Sequence, residues 1–170
     1  MSTTKPILEA VSGFYVAADA AYMPTQKDTD AGYFICKEPI KRFNAFDCDE
    51  LATALRQTLS NPNEIIPADP MPPKDLVMGP YIGVSTQKQL EQKTVYISVV
   101  RLDTGFRIES LRKSPDGTAD RQGSKAIDTV LPIETTYEQL AAAIIEHLKS
   151  RKDLPGSTVD FNQPKTAKGA

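Results

Sequence analysis

The sequence predicts an α+β fold, in which a mainly antiparallel sheet carries two principal amphipathic helices packed on one face. Two observations support this prediction. Residues 94–111 alternate apolar and polar side chains on both sides of a short turn, as the strands of an antiparallel hairpin do. Residues 47–60 and 136–150 each carry a single apolar stripe at helical spacing, and such a stripe needs a sheet or a helix to cover it.

The hairpin is the most clearly marked element. Its first strand, residues 94–102, places Val95, Ile97 and Val99 on one side, and its second strand, residues 106–111, has a charged outward side. Residues 103–105 (Asp-Thr-Gly) suit a three-residue loop in which glycine takes the left-handed position, because it has no Cβ to clash. A third strand is predicted at residues 126–131, ended by Pro132.

The two helices show matching start signals and apolar faces. Thr136 and Gln139 form a capping box, and Asp47 and Glu50 offer the same device before the earlier helix. Each helix follows an apparent pair of strands, which suggests two loosely repeated β-β-α units. The aligned apolar positions are Leu51, Ala52, Leu55 and Leu59 in the first helix, and Leu140, Ala141, Ile144 and Leu148 in the second.

The N-terminal third is less regular. Residues 1–11 are interpreted as a loose leader or a short helix, residues 13–22 as an apolar stretch with Phe14, Val16 and Ala18 on one side, and residues 24–31 as a polar turn. Residues 32–43 are strand-like. Pro39 has no N–H to donate to a neighbouring strand, so the second half of this segment is predicted to lie at an edge of the sheet.

Residues 61–80 contain six prolines and are predicted to form an extended surface connection. Apolar residues at 76–78 and 81–84 anchor it, and residues 86–93 form a short polar helix held by Leu90. The chain of 170 residues, 40% hydrophobic and 25% charged, suits a single domain over residues 1–150. Residues 151–170 are predicted to be a flexible C-terminal tail.

Several function classes find no support in the sequence. The net charge of −2 argues against direct nucleic-acid binding, and no apolar run approaches the roughly 20 residues of a membrane helix. No signal peptide is recognisable, so a cytoplasmic location is expected. No glycine-rich nucleotide loop or nucleophile elbow is present, and we expect no catalytic residues, cofactor or metal.

Three residues could in principle carry chemistry, and each has a simpler interpretation. Cys36 and Cys48 lack C-x-x-C spacing and are interpreted as free, packed thiols. Cys48 stands on the apolar side of a helix start, where packing is favoured over nucleophilic catalysis. His147, the single histidine, lies at the edge of an apolar helical face and is interpreted as a boundary residue.

The segment from residue 81 to residue 148 resembles the immunity proteins of bacterial contact-dependent growth inhibition systems. The matching features are the x-K-x-L element at residues 85–90, the hairpin, the Pro-Asp-Gly turn at 115–117, the strand ending near Leu131, and the helix beginning at Thr136. The earlier helix, with its Glu-Leu-Ala-x-Ala-Leu run at residues 50–55, also resembles the first helix of that family.

The resemblance implies a protein that is not an enzyme. It would act as a monomer in the cytoplasm, binding the C-terminal toxin domain of a surface-delivered effector, often a nuclease, and neutralising it. The local charge balance of −4 over residues 47–75 suits either a solvated face or a docking surface for a basic partner, and on the second interpretation we expect Glu64, Asp69 and Asp75 to contact a basic toxin surface. The exposed side of the hairpin is the second choice. A small enzyme, a ligand-binding domain and a secretion adaptor or chaperone stay open as alternatives.

Overall fold

The computed structural model describes residues 4–17, 20–69 and 76–154, which form a sheet with helices on both faces. The elements follow one another along the chain: β1 Leu8–Val16, β2 Ala21–Thr29, β3 Phe34–Phe43, α1 Cys48–Leu59, β4 Ile65–Ile66, α2 Gly79–Ile82, α3 Gln87–Lys93, β5 Val95–Leu102, β6 Gly105–Leu111, β7 Lys125–Pro132 and α4 Tyr137–Ser150.

The sheet consists of two three-stranded halves joined at its centre. The strand order is β3-β2-β1-β5-β6-β7 with antiparallel neighbours throughout, and the short β4 adds a parallel pair to β2. This confirms the predicted mainly antiparallel α+β fold. Each principal helix follows three strands, so the repeated unit is β-β-β-α and not the predicted β-β-α. The sequence prediction missed a strand because it assigned residues 24–31 to a turn, whereas β2 runs through Thr29.

The main core lies between one face of the sheet and the helices α1 and α4, as predicted. We call this side of the sheet the helix face and the opposite side the second face. Both predicted apolar stripes are buried, and the two helices pack against each other as well as on the sheet. The largest fully buried side chains of this core are Phe14, Met23, Leu51, Leu55, Leu59, Ile97, Ile108, Leu140, Ile144, Leu148 and Val16.

The helix starts match the sequence prediction at α4 and depart from it at α1. Thr136 and Gln139 form the complete capping box. At α1 the Asp47 side chain accepts hydrogen bonds from the N–H groups of Asp49 and Glu50, as expected of an N-cap. The Glu50 carboxylate accepts instead from the N–H of Asn44 at 2.7 Å, because the N–H of Asp47 is already donated to the Asn44 carbonyl.

A second, smaller core covers part of the second face. Helices α2 and α3 bury Met78, Val84 and Leu90 against Tyr22 and its neighbours on β1–β3. The end of the proline-rich connection is therefore anchored by its apolar residues, and the short helix held by Leu90 is present, as predicted. The two short helices lie on the face opposite α1 and α4, a placement that the sequence did not indicate.

Two further predictions are corrected by the structure. The segment taken as a leader contributes β1 from Leu8 onwards. The β5–β6 loop is two residues long, because Leu102 pairs with Gly105. Gly105 has a φ of 150°, and a Cβ there would lie 2.0 Å from the Leu131 carbonyl oxygen, so the close approach of β7 requires glycine.

The start of the predicted flexible tail is also ordered. Arg151 is buried and donates to the Ser110 hydroxyl at 2.6 Å and to the Leu111 carbonyl at 2.8 Å, while Asp153 accepts from its guanidinium. Leu154 belongs to the main core. These contacts extend the domain by four residues beyond the predicted boundary at residue 150, and residues 155–170 lie outside the described part.

Truncation of the α4 stripe should destabilise the domain. Leu140 and Ile144 are fully buried, so Leu140→Ala and Ile144→Ala should each lower the free energy of unfolding by about 2–4 kcal/mol. Urea denaturation followed by circular dichroism measures the change. An unchanged midpoint in either variant would contradict the assignment of this helix face.

Candidate functional site

The start of the acidic connection is fixed at a gap between β1 and β2. These strands pair at Tyr15–Tyr22 and Val16–Ala21, and beyond that point the side chain of Asn63 bridges them. Its amide nitrogen donates to the Val11 carbonyl at 2.9 Å and to the Gln26 carbonyl at 3.2 Å, and its oxygen accepts from the Val11 N–H at 2.7 Å. The backbone that follows is therefore held against β2.

The three acids predicted to contact a partner occupy different situations. Glu64 is exposed and forms an ion pair with Lys27, whose hydrogen bond lowers the pKa of the Glu64 carboxyl. Asp69 is also exposed, and Asp75 lies outside the described residues. The structure thus places Glu64 and Asp69 at the surface. Lys27 neutralises the charge of Glu64, a pairing that the sequence did not predict.

Three residues on adjacent strands, Phe34, Asp28 and Ile65, form a row across the second face of the sheet, next to the start of the acidic connection. Asp28 pairs with Phe34 of β3 on one side and with Ile65 of β4 on the other, so the three side chains point to the same face. Phe34 is 43% exposed and Ile65 is 69% exposed, and Tyr33, next to Phe34, is 44% exposed. A half-buried carboxylate therefore lies between exposed apolar side chains.

Two acceptor atoms in this region have no hydrogen-bond partner among the described residues. They are Oδ1 of Asp28 and Oε1 of Gln26, and both are buried. Gln26 stands two residues before Asp28 on the same face, and its amide nitrogen donates to the Tyr96 hydroxyl at 2.8 Å. Burial raises the pKa of the Asp28 carboxyl. Sequence reasoning missed this site because it assigned residues 24–31 to a polar turn.

Beyond Gln26 the second face carries a cluster of buried polar side chains. The rings of Tyr15 and Tyr96 lie 4.8 Å apart, and burial raises the pKa of both hydroxyls. Burial also raises the pKa of the neighbouring Cys36 thiol, against a lowering by the hydrogen bond that the Gln26 amide N–H donates to the Cys36 sulfur. Cys36 and Cys48 are both free thiols, as the sequence predicted.

A cavity of about 400 Å³ lies between α3 and the β5–β6 hairpin. Lys113 at its wall donates to the carbonyls of Glu91, Thr94 and Gly117, and burial lowers the pKa of its ammonium group. Arg121 forms an ion pair with Glu91. The charged groups of this wall are therefore bound to one another and to the backbone.

The exposed side of the hairpin, the second-choice interface, carries charges that neutralise each other. Arg107 makes two hydrogen bonds with Asp128 of β7, at 2.9 and 3.0 Å, and also contacts Glu109. Lys125 contacts both acids. The charges on this surface are therefore already paired within the chain. The acceptor oxygens of Asp28 and Gln26, in contrast, have no hydrogen-bond donor among the described residues.

The described residues hold no group of three or more His, Cys, Asp or Glu side chains that could bind a metal ion. His147 is half-buried at the edge of the α4 stripe, where it was predicted, and burial together with the charges of Arg151 and Arg112 lowers the pKa of its imidazole. In the part of the chain that the structure describes, every helix is too short or too polar to cross a membrane.

Solved structures with a similar fold include two chains of low sequence identity. A protein of unknown function from Neisseria meningitidis has 14% identity and a TM-score of 0.57, with 86% of this chain and 98% of that chain covered. A chain of a CdiA-CT/CdiI toxin and immunity complex from Yersinia pseudotuberculosis has 9% identity and a TM-score of 0.56, covering 84% of this chain and 97% of that one. At such identities the likeness shows a shared fold. No family model and no curated protein matches the sequence.

Replacing Asp28 should stabilise the protein at neutral pH. Because the native state raises the pKa of this carboxyl, it binds the proton more tightly than the unfolded chain, and the resulting stabilisation is lost as the pH rises through the native pKa. Asp28→Asn should therefore melt at a higher temperature than the wild type at pH 7 and at the same temperature near about pH 3.

Thermal unfolding at the two pH values measures this difference. The control is Glu146→Gln, which removes one carboxyl on the exposed side of α4, away from the site. This variant should melt at the same temperature as the wild type at both pH values. A lower melting temperature for Asp28→Asn at pH 7 would mean that the carboxylate makes a stabilising interaction in the native state.

Proposed function

We propose that this chain is an immunity protein, which binds and neutralises the C-terminal toxin domain of a contact-dependent growth inhibition effector. The observation that supports the proposal is the fold shared with a chain of a toxin and immunity complex, which extends over 84% of this chain. The family resemblance of the hairpin, the Pro-Asp-Gly turn and the last helix points in the same direction. In this role the protein acts in the cytoplasm of the producing cell.

Neutralisation is proposed to work by binding and not by catalysis. One copy of the chain covers one toxin domain, so protection should depend on the amount of the chain relative to the toxin. The surface proposed to meet the toxin includes Glu64 and Asp69 at the start of the connection, with Asp75 in the same stretch of sequence. Carboxylates at the rim of an interface accelerate encounter with a basic surface, such as the phosphate-binding side of a nuclease.

The cavity of about 400 Å³ favours a second candidate, a small ligand-binding domain. Its size lies within the range of small-molecule sites. The two candidate functions predict different results in a protection assay, because a ligand-binding domain would not protect cells from a toxin.

The proposed function predicts protection and complex formation with a toxin encoded beside this chain. We expect a gene for a large secreted protein immediately upstream of the gene for this chain, and the C-terminal domain of that protein should arrest growth when it is expressed alone. Co-expression of the full chain should restore growth, and a tagged copy of the chain should co-purify the toxin domain in a 1:1 ratio.

A dose series separates binding from catalysis. Protection should end when the toxin domain exceeds the chain in molar amount, and the destabilised Leu140→Ala variant should protect less in proportion to its folded fraction. Growth arrest that persists with an excess of the folded chain would refute the proposed function. Protection far below equimolar amounts would refute inhibition by binding.

A further inference from the structure

We propose that the second face of the sheet, at the end where β2 meets β3 and β4, binds an arginine side chain of the protein partner. Asp28 and Gln26 supply the acceptor atoms, and Phe34 and Ile65 supply the apolar walls. The inference rests on the proposed function for the identity of the partner, and it adds the chemistry that the partner must present to this surface.

The two acceptor oxygens of Asp28 and Gln26 suit a cationic ligand that carries hydrogen-bond donors. A buried oxygen without a hydrogen bond carries a desolvation cost, and the cost is greater for an ionised carboxylate than for an amide. Asp28 and Gln26 each contribute one such oxygen, and no described residue donates to either. An incoming group with several N–H donors and a positive charge would satisfy both atoms and neutralise the carboxylate.

Arginine fits this arrangement better than lysine. The two acceptors belong to residues whose Cα atoms are about 7 Å apart along one strand, and a planar guanidinium offers five donors in fixed, divergent directions. Phe34, directly paired with Asp28, offers a ring on which a guanidinium can stack. Ile65, paired on the other side, offers an aliphatic surface for the methylene stem.

The position in the fold makes the site reachable from outside. The two orphan oxygens are buried, whereas Phe34 and Ile65, which pair with or neighbour Asp28, are 43% and 69% exposed. Binding therefore requires rotation of surface side chains while the strands stay paired. Glu64, one residue before Ile65, pairs with Lys27 on the side of the sheet where α1 lies, so the arginine site and Glu64 occupy opposite faces of the same end of the sheet.

The first experiment uses N-acetyl-arginine amide as the probe and the full 170-residue chain labelled with ¹⁵N. Saturable shifts should appear at the Gln26 side-chain amide and at the backbone N–H groups of Asp28 and Phe34. N-acetyl-citrulline amide, which has nearly the same shape without the charge, should produce no saturable shift. Asp28→Asn should abolish the response and Glu146→Gln should preserve it.

Two results would overturn the arginine site. The first is an absence of saturable shifts, or equal shifts with the citrulline probe. The second concerns Lys74, a basic residue of the chain itself that lies outside the described residues. If Lys74→Gln changes the pKa of the Asp28 carboxyl, as measured by ¹³C NMR, the carboxylate interacts with Lys74 of the same chain and not with an arginine of the partner.

The second experiment measures affinity for the toxin domain encoded upstream. Asp28→Asn should weaken binding by about tenfold or more, as the loss of a charge-assisted contact predicts, and Glu146→Gln should leave it unchanged. If Asp28→Asn binds as tightly as the wild type, the arginine inference fails and the proposed function stands. If no complex forms while the arginine probe still binds, the proposed function fails and the site stands.

Discussion

The pairing of β1 with β5 is the contact on which the rest of the structure depends. It joins the first strand of the N-terminal half to the first strand of the C-terminal half, from Leu8 opposite Leu102 to Val16 opposite Val95, and makes one sheet out of two three-stranded halves. Because each half ends in a helix on the same face, this pairing also brings α1 and α4 side by side over a common core. The segment between the halves must then travel from the end of α1 on the helix face to the start of β5, and α2 and α3 cover the second face along that route.

The same route creates the candidate site. β2 pairs with β3 along its length but leaves β1 after two residues, and Asn63 and β4 occupy the space that opens. Asp28 and Gln26 thus become part of a sheet without gaining donors for one oxygen each. In an isolated domain such atoms lower stability, and the proposed arginine of the partner would satisfy them in a complex. Folding alone gives no reason for two buried acceptor oxygens without donors, whereas binding of a partner does.

The features predicted correctly from the sequence are those with local causes. The hairpin of β5 and β6 follows from alternation and a tight turn, and the α4 capping box follows from Thr136 and Gln139 at the required spacing. The same holds for the apolar stripes of α1 and α4, and for the short helix held by Leu90, because each is encoded within a few residues.

The features that were missed depend on residues far apart in the sequence. The polar half of β2 is a strand because β3 and β4 pair with it, not because its own residues alternate. Arg151 is ordered by Ser110 and Leu111, about 40 residues earlier. The orphan acceptors can be recognised only after Phe34 and Ile65 are placed on either side of Asp28. Glu64 and Asp69, chosen from charge alone, are exposed as expected, but no pattern in the sequence indicated that Lys27 pairs with Glu64.

Hydrogen–deuterium exchange of the full chain, with and without the toxin domain encoded upstream, tests most directly whether the chain binds a toxin through the second face. Complex formation should slow exchange at residues 26–29, 33–35 and 64–66, where β2, β3 and β4 surround Asp28. The outer side of β7 and the exposed side of α4 should exchange at unchanged rates. Protection confined to β7 or α4, with unchanged exchange around Asp28, would contradict this account of the interface.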